Sequence, residues 1–232
     1  SRLRDSERKA AFSEMARQVA HEIKNPLTPM KLSLQHVLRA RRDARPDFDE
    51  ILAQSSKMIG EQIDALERIA TEFSLYARFP KGDLKPEALE PILKAAADLV
   101  AVEGEPRSVR VRLSVGANLP RVTCDVDRLR RALLNLLRNA LQAMPGGGDI
   151  DVRAARSGVL VRIEVSDHGS GIPAEIRERI FEPYFSTKTG GTGLGLALTK
   201  RIIEEHGGKI GFESKAAGTT FWIELPYTEP AP

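Results

Sequence analysis

The sequence predicts an α+β chain in two parts: a helical hairpin, closing into a four-helix bundle in a dimer, and then a two-layer α/β sandwich. Two observations carry this reading. Apolar residues recur every three or four positions through the first third of the chain, as the buried stripe of a long helix requires. Beyond Asp83 the period changes to short alternating segments interleaved with helical ones, the pattern of a sheet covered by helices.

The first stripe is Phe12, Met15, Ala16, Val19, Ile23, Leu27, Met30, Leu34 and Val37. A polar run at 41–46 breaks it, and it resumes at Ile51, Ser55, Met58, Ile59, Gln62, Ile63, Leu66, Ile69, Phe73 and Tyr76. Two helices with so narrow a stripe bury little alone but close a bundle when doubled, so a homodimer is expected. Pro80–Asp83 stops the second helix, which sets the domains at 1–82 and 83–232.

In the second part the pattern predicts a helix over Ile92–Val102, a strand over Ser108–Val115 and a helix over Asp127–Met144 capped by Asp125 or Asp127. Strands follow at Asp149–Ala155 and Val159–Ser166, turning at 156–158. A short helix over Pro173–Ile180, a helix over Gly193–His206 and strands at Lys209–Ser214 and Thr219–Leu225 complete the order.

Composition narrows the function classes. The 232 residues are 41% hydrophobic and 29% charged, enough for two ordinary cores. The net charge of +3 is spread among interleaved acids and bases, which argues against nucleic-acid binding. A lone cysteine, Cys124, excludes an internal disulfide, reads as a small buried hydrophobe at a strand end and suits a reducing, cytoplasmic setting. No apolar run nears the roughly 18 residues that cross a bilayer. The chain begins at Ser1 without methionine, so it reads as a soluble piece of a longer protein, whose membrane attachment, if any, lies in segments absent here.

Six segments carry chemistry. His21 stands two residues past Val19 and two before Ile23, so at ~100° per residue it turns away from the stripe. It opens His21-Glu22-Ile23-Lys24-Asn25-Pro26-Leu27-Thr28-Pro29. An interior helix proline costs ~3 kcal/mol, and two beside an exposed His-Glu pair suggest a local bend kept for function. Asn25 follows one turn later on the same face; His36, with no acid beside it, reads as a surface residue. Asn135 and Asn139 share one edge of a predicted helix. Asp167-His168-Gly169-Ser170-Gly171-Ile172 ends a predicted strand, its glycines permitting close backbone approach. Phe181–Lys188 leads into Gly190–Leu196, where glycines before a helix offer backbone N–H groups to an anion. This is neither a Walker P-loop nor a dinucleotide fingerprint. Gly218-Thr219-Thr220-Phe221 makes a final turn.

In this order the segments resemble the H, N, G1, F, G2 and G3-type boxes of bacterial two-component sensor histidine kinases, over about Phe12–Leu225. The string HEIKNPLTP is similar to the nitrogen-regulation class. The resemblance implies that His21 takes a phosphoryl group from ATP and passes it to an aspartate of a response-regulator receiver domain. Glu22 would orient the ring and accept its second proton, and Asn25 would align water to dephosphorylate the regulator. ATP would be held by Asn135, Asn139, Asp167, Gly169, Gly171, Ile172, Tyr184, Lys188, Gly191, Thr192, Gly193, Leu194, Gly195, Leu196 and Thr220. Within that set Asn139 would hold Mg²⁺, Asp167 would read the adenine amino group and Lys188 would reach the terminal phosphate.

Two other classes compete. An ATPase of the gyrase and chaperone group shares the nucleotide boxes but lacks a histidine on a helical hairpin, so residues 12–77 argue against it. A nucleotide-binding scaffold without phosphotransfer has no need of His21, Asn139 and Asp167 together.

Overall fold

The computed structural model describes residues 2–77, 82–187 and 192–227, and within helices the side chains of 2–16, 18, 21, 68 and 72–77 lie outside the described set. The chain forms two compact units, a mainly helical one of Ser1–Phe79 with Ser186–Leu194 and an α/β one of Pro80–Phe185 with Gly195–Pro232.

The helical unit pairs α1 (Arg2–Arg42) with α2 (Phe48–Ala77), and α1 runs unbroken through Pro26 and Pro29. Ala44, at φ 45°, reverses the chain. The Arg45 N–H donates to the Ala40 carbonyl at 3.0 Å, and the Arg45 guanidinium forks onto Asp47. The inner line of α1 is Pro26, Met30, Ser33, Val37 and Ala40, a 3.5-residue repeat facing Ile51, Ser55, Ile59, Leu66 and Ile69 of α2. This corrects the sequence stripe: Leu27 and Leu34 are 47% and 54% exposed in the single chain. The helix therefore carries two apolar lines, and one hairpin buries only one of them.

In the α/β unit five strands form a sheet in the order β2 (Val109–Val115), β4 (Gly148–Ser157), β5 (Leu160–Asp167), β7 (Gly218–Pro226) and β6 (Lys209–Lys215). Among the described residues of this sheet only the β2–β4 pair is parallel. Helices α3 (Leu89–Gly104), α4 (Val126–Ala143) and α5 (Gly195–Glu205) pack on the sheet. Leu93, Leu133, Leu137 and Ile203 of the helices and Ile150, Val161, Ile163 and Ile223 of the strands are all buried, which confirms the predicted sandwich. Asp125 caps α4, its carboxylate accepting the Arg128 N–H at 3.1 Å. Gly158, at φ 63°, takes the first central position of the β4–β5 turn, as a type II′ hairpin requires.

Three expectations change. The helix expected over Pro173–Ile180 is a single 3-10 turn, Ala174–Ile176, followed by turns closed by i to i+3 hydrogen bonds. Cys124 ends β3 (Val122–Cys124), as its reading at a strand end expected, but the antiparallel partner β1 (Lys85–Glu87) was not foreseen, because three residues are too few to show alternation. Helix α5 begins at Gly195, two residues later than expected.

Candidate functional site

The site grows from one edge of α4. Asn135, Asn139 and Ala143 follow one another at four-residue spacing and so line a single stripe of that helix. At its start, the Asn135 amide donates to the Thr199 hydroxyl at 2.9 Å, and that hydroxyl donates to the Gly195 carbonyl at 2.9 Å. A Cβ on Gly195 would collide with the Asn135 amide, so any other residue here must displace that side chain from Thr199. At the far end, a Cβ on Gly169 would lie 2.5 Å from the Ala143 carbonyl. Asn139 stands between these two approaches, half-buried.

Asp167 closes the floor. It is 7% exposed at the end of β5, and its Oδ1 accepts the N–H groups of Gly169 at 2.9 Å and Thr219 at 3.3 Å. A buried carboxylate with one oxygen fixed by two backbone donors is held in one orientation. Gly171 has φ 72°, and a Cβ there would sit 2.0 Å from the Lys215 carbonyl. These glycines are thus demanded by the approach of the chain to itself.

Strand pairing assigns the remaining residues. Asp167 faces Thr219 across β5 and β7, whereas Ser166 faces Thr220. The side chain of Thr220 bonds Ser166 at 2.9 Å on the sheet face opposite the buried Thr219. The structure thus puts Thr219, which was not among the expected ligands, beside Asp167. Tyr184 is half-buried at φ 66°. Gly193 has φ 66°, the Leu194 N–H donates to the Thr192 hydroxyl at 3.3 Å, and Leu194 is buried while Leu196 is half-buried. Lys188 and Gly191 lie outside the described residues. In the helical unit His21 belongs to α1 with its side chain outside the described set, Glu22 is half-buried and Asn25 is exposed.

Comparison with known proteins bears on this arrangement. Residues 13–82 match the family described as His Kinase A (phospho-acceptor) domain. Residues 124–229 match the family described as Histidine kinase-, DNA gyrase B-, and HSP90-like ATPase. The catalytic domain of histidine kinase ThkA is 33% identical, covers 63% of this chain and 97% of that one, and superposes with a TM-score of 0.59. The chain belongs to the histidine kinases. ThkA in complex with response regulator protein TrrA superposes over 96% of this histidine kinase chain and 64% of that one, at 28% identity and a TM-score of 0.76. Sensor histidine kinase ZraS of Escherichia coli O157:H7 is 35% identical over 99% of the chain, and nitrogen regulation protein NtrY of Azorhizobium caulinodans is 36% identical over 99%. The chain spans 50% and 30% of those two proteins' lengths.

The kinase chain also contains interactions that sequence reasoning missed. Thr219 was findable, because Phe221, Ile223 and Leu225 alternate inward and put Thr219 on the same face. His206 gave no local signal. It is 5% exposed, and its Nε2 accepts the Asp125 N–H at 2.9 Å while Nδ1 meets the Ile202 carbonyl at 2.7 Å. A carbonyl only accepts and an N–H only donates, so in this geometry Nδ1 donates and Nε2 accepts. Among the described residues no helix is long and apolar enough to cross a membrane.

Proposed function

We propose that this histidine kinase chain transfers the γ-phosphoryl group of ATP to His21 and then to an aspartate of a response-regulator receiver domain. One observation carries the nucleotide half of the reading: two separate motifs converge on the Asn135–Asn139–Ala143 edge of α4, itself the third. Asp167 with Gly169 arrives at one end and Gly195 at the other. The likeness to a kinase in complex with its response regulator supports the transfer half.

In the step proposed, a neutral His21 ring nitrogen attacks the γ-phosphorus, a P–N bond forms, and the P–O bond to ADP breaks. Glu22, the next residue on α1, orients the ring and accepts its other proton. A regulator carboxylate then displaces the imidazole. Asp167 accepts a hydrogen bond from the adenine amino group, with Thr219 beside it, while Asn135, Gly169, Gly171, Ile172, Tyr184, Lys188, Gly191, Thr192, Gly193, Leu194, Gly195 and Leu196 frame the nucleotide. The amide oxygen of Asn139 suits Mg²⁺, a hard cation that takes few protein ligands where it can use water and phosphate oxygens. When bound, the ion would neutralise charge on the phosphates. Residues 1–82 form the dimerising hairpin and 83–232 the catalytic domain in this reading. The exposed Leu27, Leu34, Leu38, Leu52 and Ile63 support a homodimer by supplying a second apolar line for another hairpin. A cytoplasmic location follows from the reading, since that is where receiver domains and ATP are met.

The test is labelling with γ-labelled ATP. His21→Ala should lose all acid-labile label and keep its affinity for ATP, whereas Asn139→Ala should lose Mg²⁺-dependent labelling. Asp167→Asn should weaken ATP binding by about 2–3 kcal/mol, the scale of a hydrogen bond to a charged group. Label persisting on His21→Ala protein, at His36 for example, would overturn the assignment.

A further inference from the structure

The loop after Asp167 is pinned from outside by a side chain that belongs to none of the motifs. Arg177, half-buried beyond the 3-10 turn, donates from Nε to the Ile172 carbonyl at 3.0 Å and from Nη2 to the Ser214 carbonyl at 2.9 Å. The Ser214 hydroxyl accepts the Ile172 N–H at 2.7 Å and lies 3.0 Å from the Thr219 hydroxyl. Thr219 in turn gives its N–H to Asp167. One guanidinium thus joins the far end of the loop to β6, and one hydroxyl joins β6 to the strand beside the adenine-reading carboxylate.

The chemistry of the clamp is selective. A planar guanidinium presents parallel donors that can take two carbonyls from separate segments, whereas a lysine ammonium at the end of a flexible stem would hold one of them at best. Both acceptors of Arg177 are backbone carbonyls, so this arginine orders main chain where a surface arginine would meet a carboxylate. It also accounts for the missing helix: the chain after Ala174–Ile176 runs in single turns that leave Arg177 facing back to Ile172.

We infer that Arg177 and Ser214 are positioning residues for the nucleotide, holding residues 168–172 in the one shape that presents Asp167 and the Gly169–Ile172 backbone to the adenine ring. This rests on the reading above that the loop holds adenine. The clamp acts before chemistry: it sets nucleotide affinity and leaves the rate of phosphoryl transfer from bound ATP unchanged.

The experiment uses the whole chain with Arg177→Ala, Arg177→Lys, Ser214→Ala and Asp167→Asn. It measures ATP and ADP affinity by calorimetry, KM and kcat for His21 labelling, and melting without nucleotide. Arg177→Ala should bind ATP and ADP about tenfold more weakly, the order expected when hydrogen bonds to a charged group are removed. Its KM should rise in proportion and kcat should stay within twofold of the parent. Arg177→Lys should fall between the two, and low-millimolar guanidinium should restore part of the affinity of Arg177→Ala, which a plain loss of folded protein would not permit. A fall in kcat at unchanged KM, or ATP affinity within twofold of the parent, overturns the inference. Should Arg177→Ala not fold, Ser214→Ala and Arg177→Lys decide it, and parent-like binding by both overturns it. Weak binding by Asp167→Asn with parent-like clamp variants rejects the clamp alone. Parent-like binding by Asp167→Asn rejects the adenine reading beneath it.

Discussion

Replacing Gly171 by alanine should unfold the α/β unit far more readily than the same change at Gly158, although both glycines have a left-handed backbone, at φ 72° and 63°. Both substitutions carry the same conformational penalty, about 1–2 kcal/mol for an L residue there, partly offset by about 0.4–1 kcal/mol from a stiffer unfolded chain. At Gly158 the added methyl meets nothing within 4 Å, so the net cost there should be ~1 kcal/mol. At Gly171 it would lie 2.0 Å from the Lys215 carbonyl, against an ordinary carbon-to-oxygen separation of about 3.3 Å. One segment must then move by about an ångström, and both are tied: Ile172 to Ser214 at 2.7 Å and Lys215 to Gly218 in the β6–β7 ladder. Breaking two such bonds at ~1 kcal/mol each and straining the strand end should bring Gly171→Ala to about 3–4 kcal/mol. Trp222, the chain's one tryptophan, lies in β7, so urea titration followed by its fluorescence reports this unit. A difference between the two variants below about 1 kcal/mol would refute the reasoning, because it would mean the loop yields freely.

Three further outcomes are expected. His206→Ala should cost about 3–4 kcal/mol in the same titration, since it removes a buried ring and orphans the Asp125 N–H that caps against it; a loss under 1 kcal/mol would show that water replaces the ring. Burial, helped by the charges of Glu87 and Asp125, pushes the Cys124 thiol up to about 11. Little thiolate then exists near pH 8, so iodoacetamide should label the native protein far more slowly than the urea-unfolded one, and equal rates would place Cys124 at the surface. Asn25→Ala should leave His21 labelling and transfer intact while slowing dephosphorylation of the regulator, and a parallel fall in all three reactions would make Asn25 a residue that shapes the helix before Pro26.

The nucleotide boxes were legible because each combines a backbone demand with a side-chain demand in a few consecutive residues. Asp167-His168-Gly169-Ser170-Gly171 shows a strand end, a buried acceptor and two glycines at once, and the structure places them so. Thr219 was passed over for a local reason: two adjacent threonines look alike, and pleating alone decides which faces inward. The stripe of α1 failed differently. Leu27 and Leu34 fit a helical period as well as Pro26 and Ser33 do, and two apolar lines one residue apart cannot be assigned to two partners by period alone.

By itself the sequence determined the two-part organisation, a cap for α4 at Asp125 or Asp127 and the edge shared by Asn135 and Asn139. Each of these is set by residues within a turn or two of one another, where period and capping chemistry act directly. Only the tertiary structure decided that Gly169 and Gly195 come to opposite ends of that edge, that Arg177 reaches Ser214, and that His206 holds the start of α4. Asn135 and Thr199 stand 64 positions apart, and Asp125 and His206 stand 81 apart. Periodicity states which face of an element avoids water, but which element covers that face depends on how the sheet and its helices fit together as a whole.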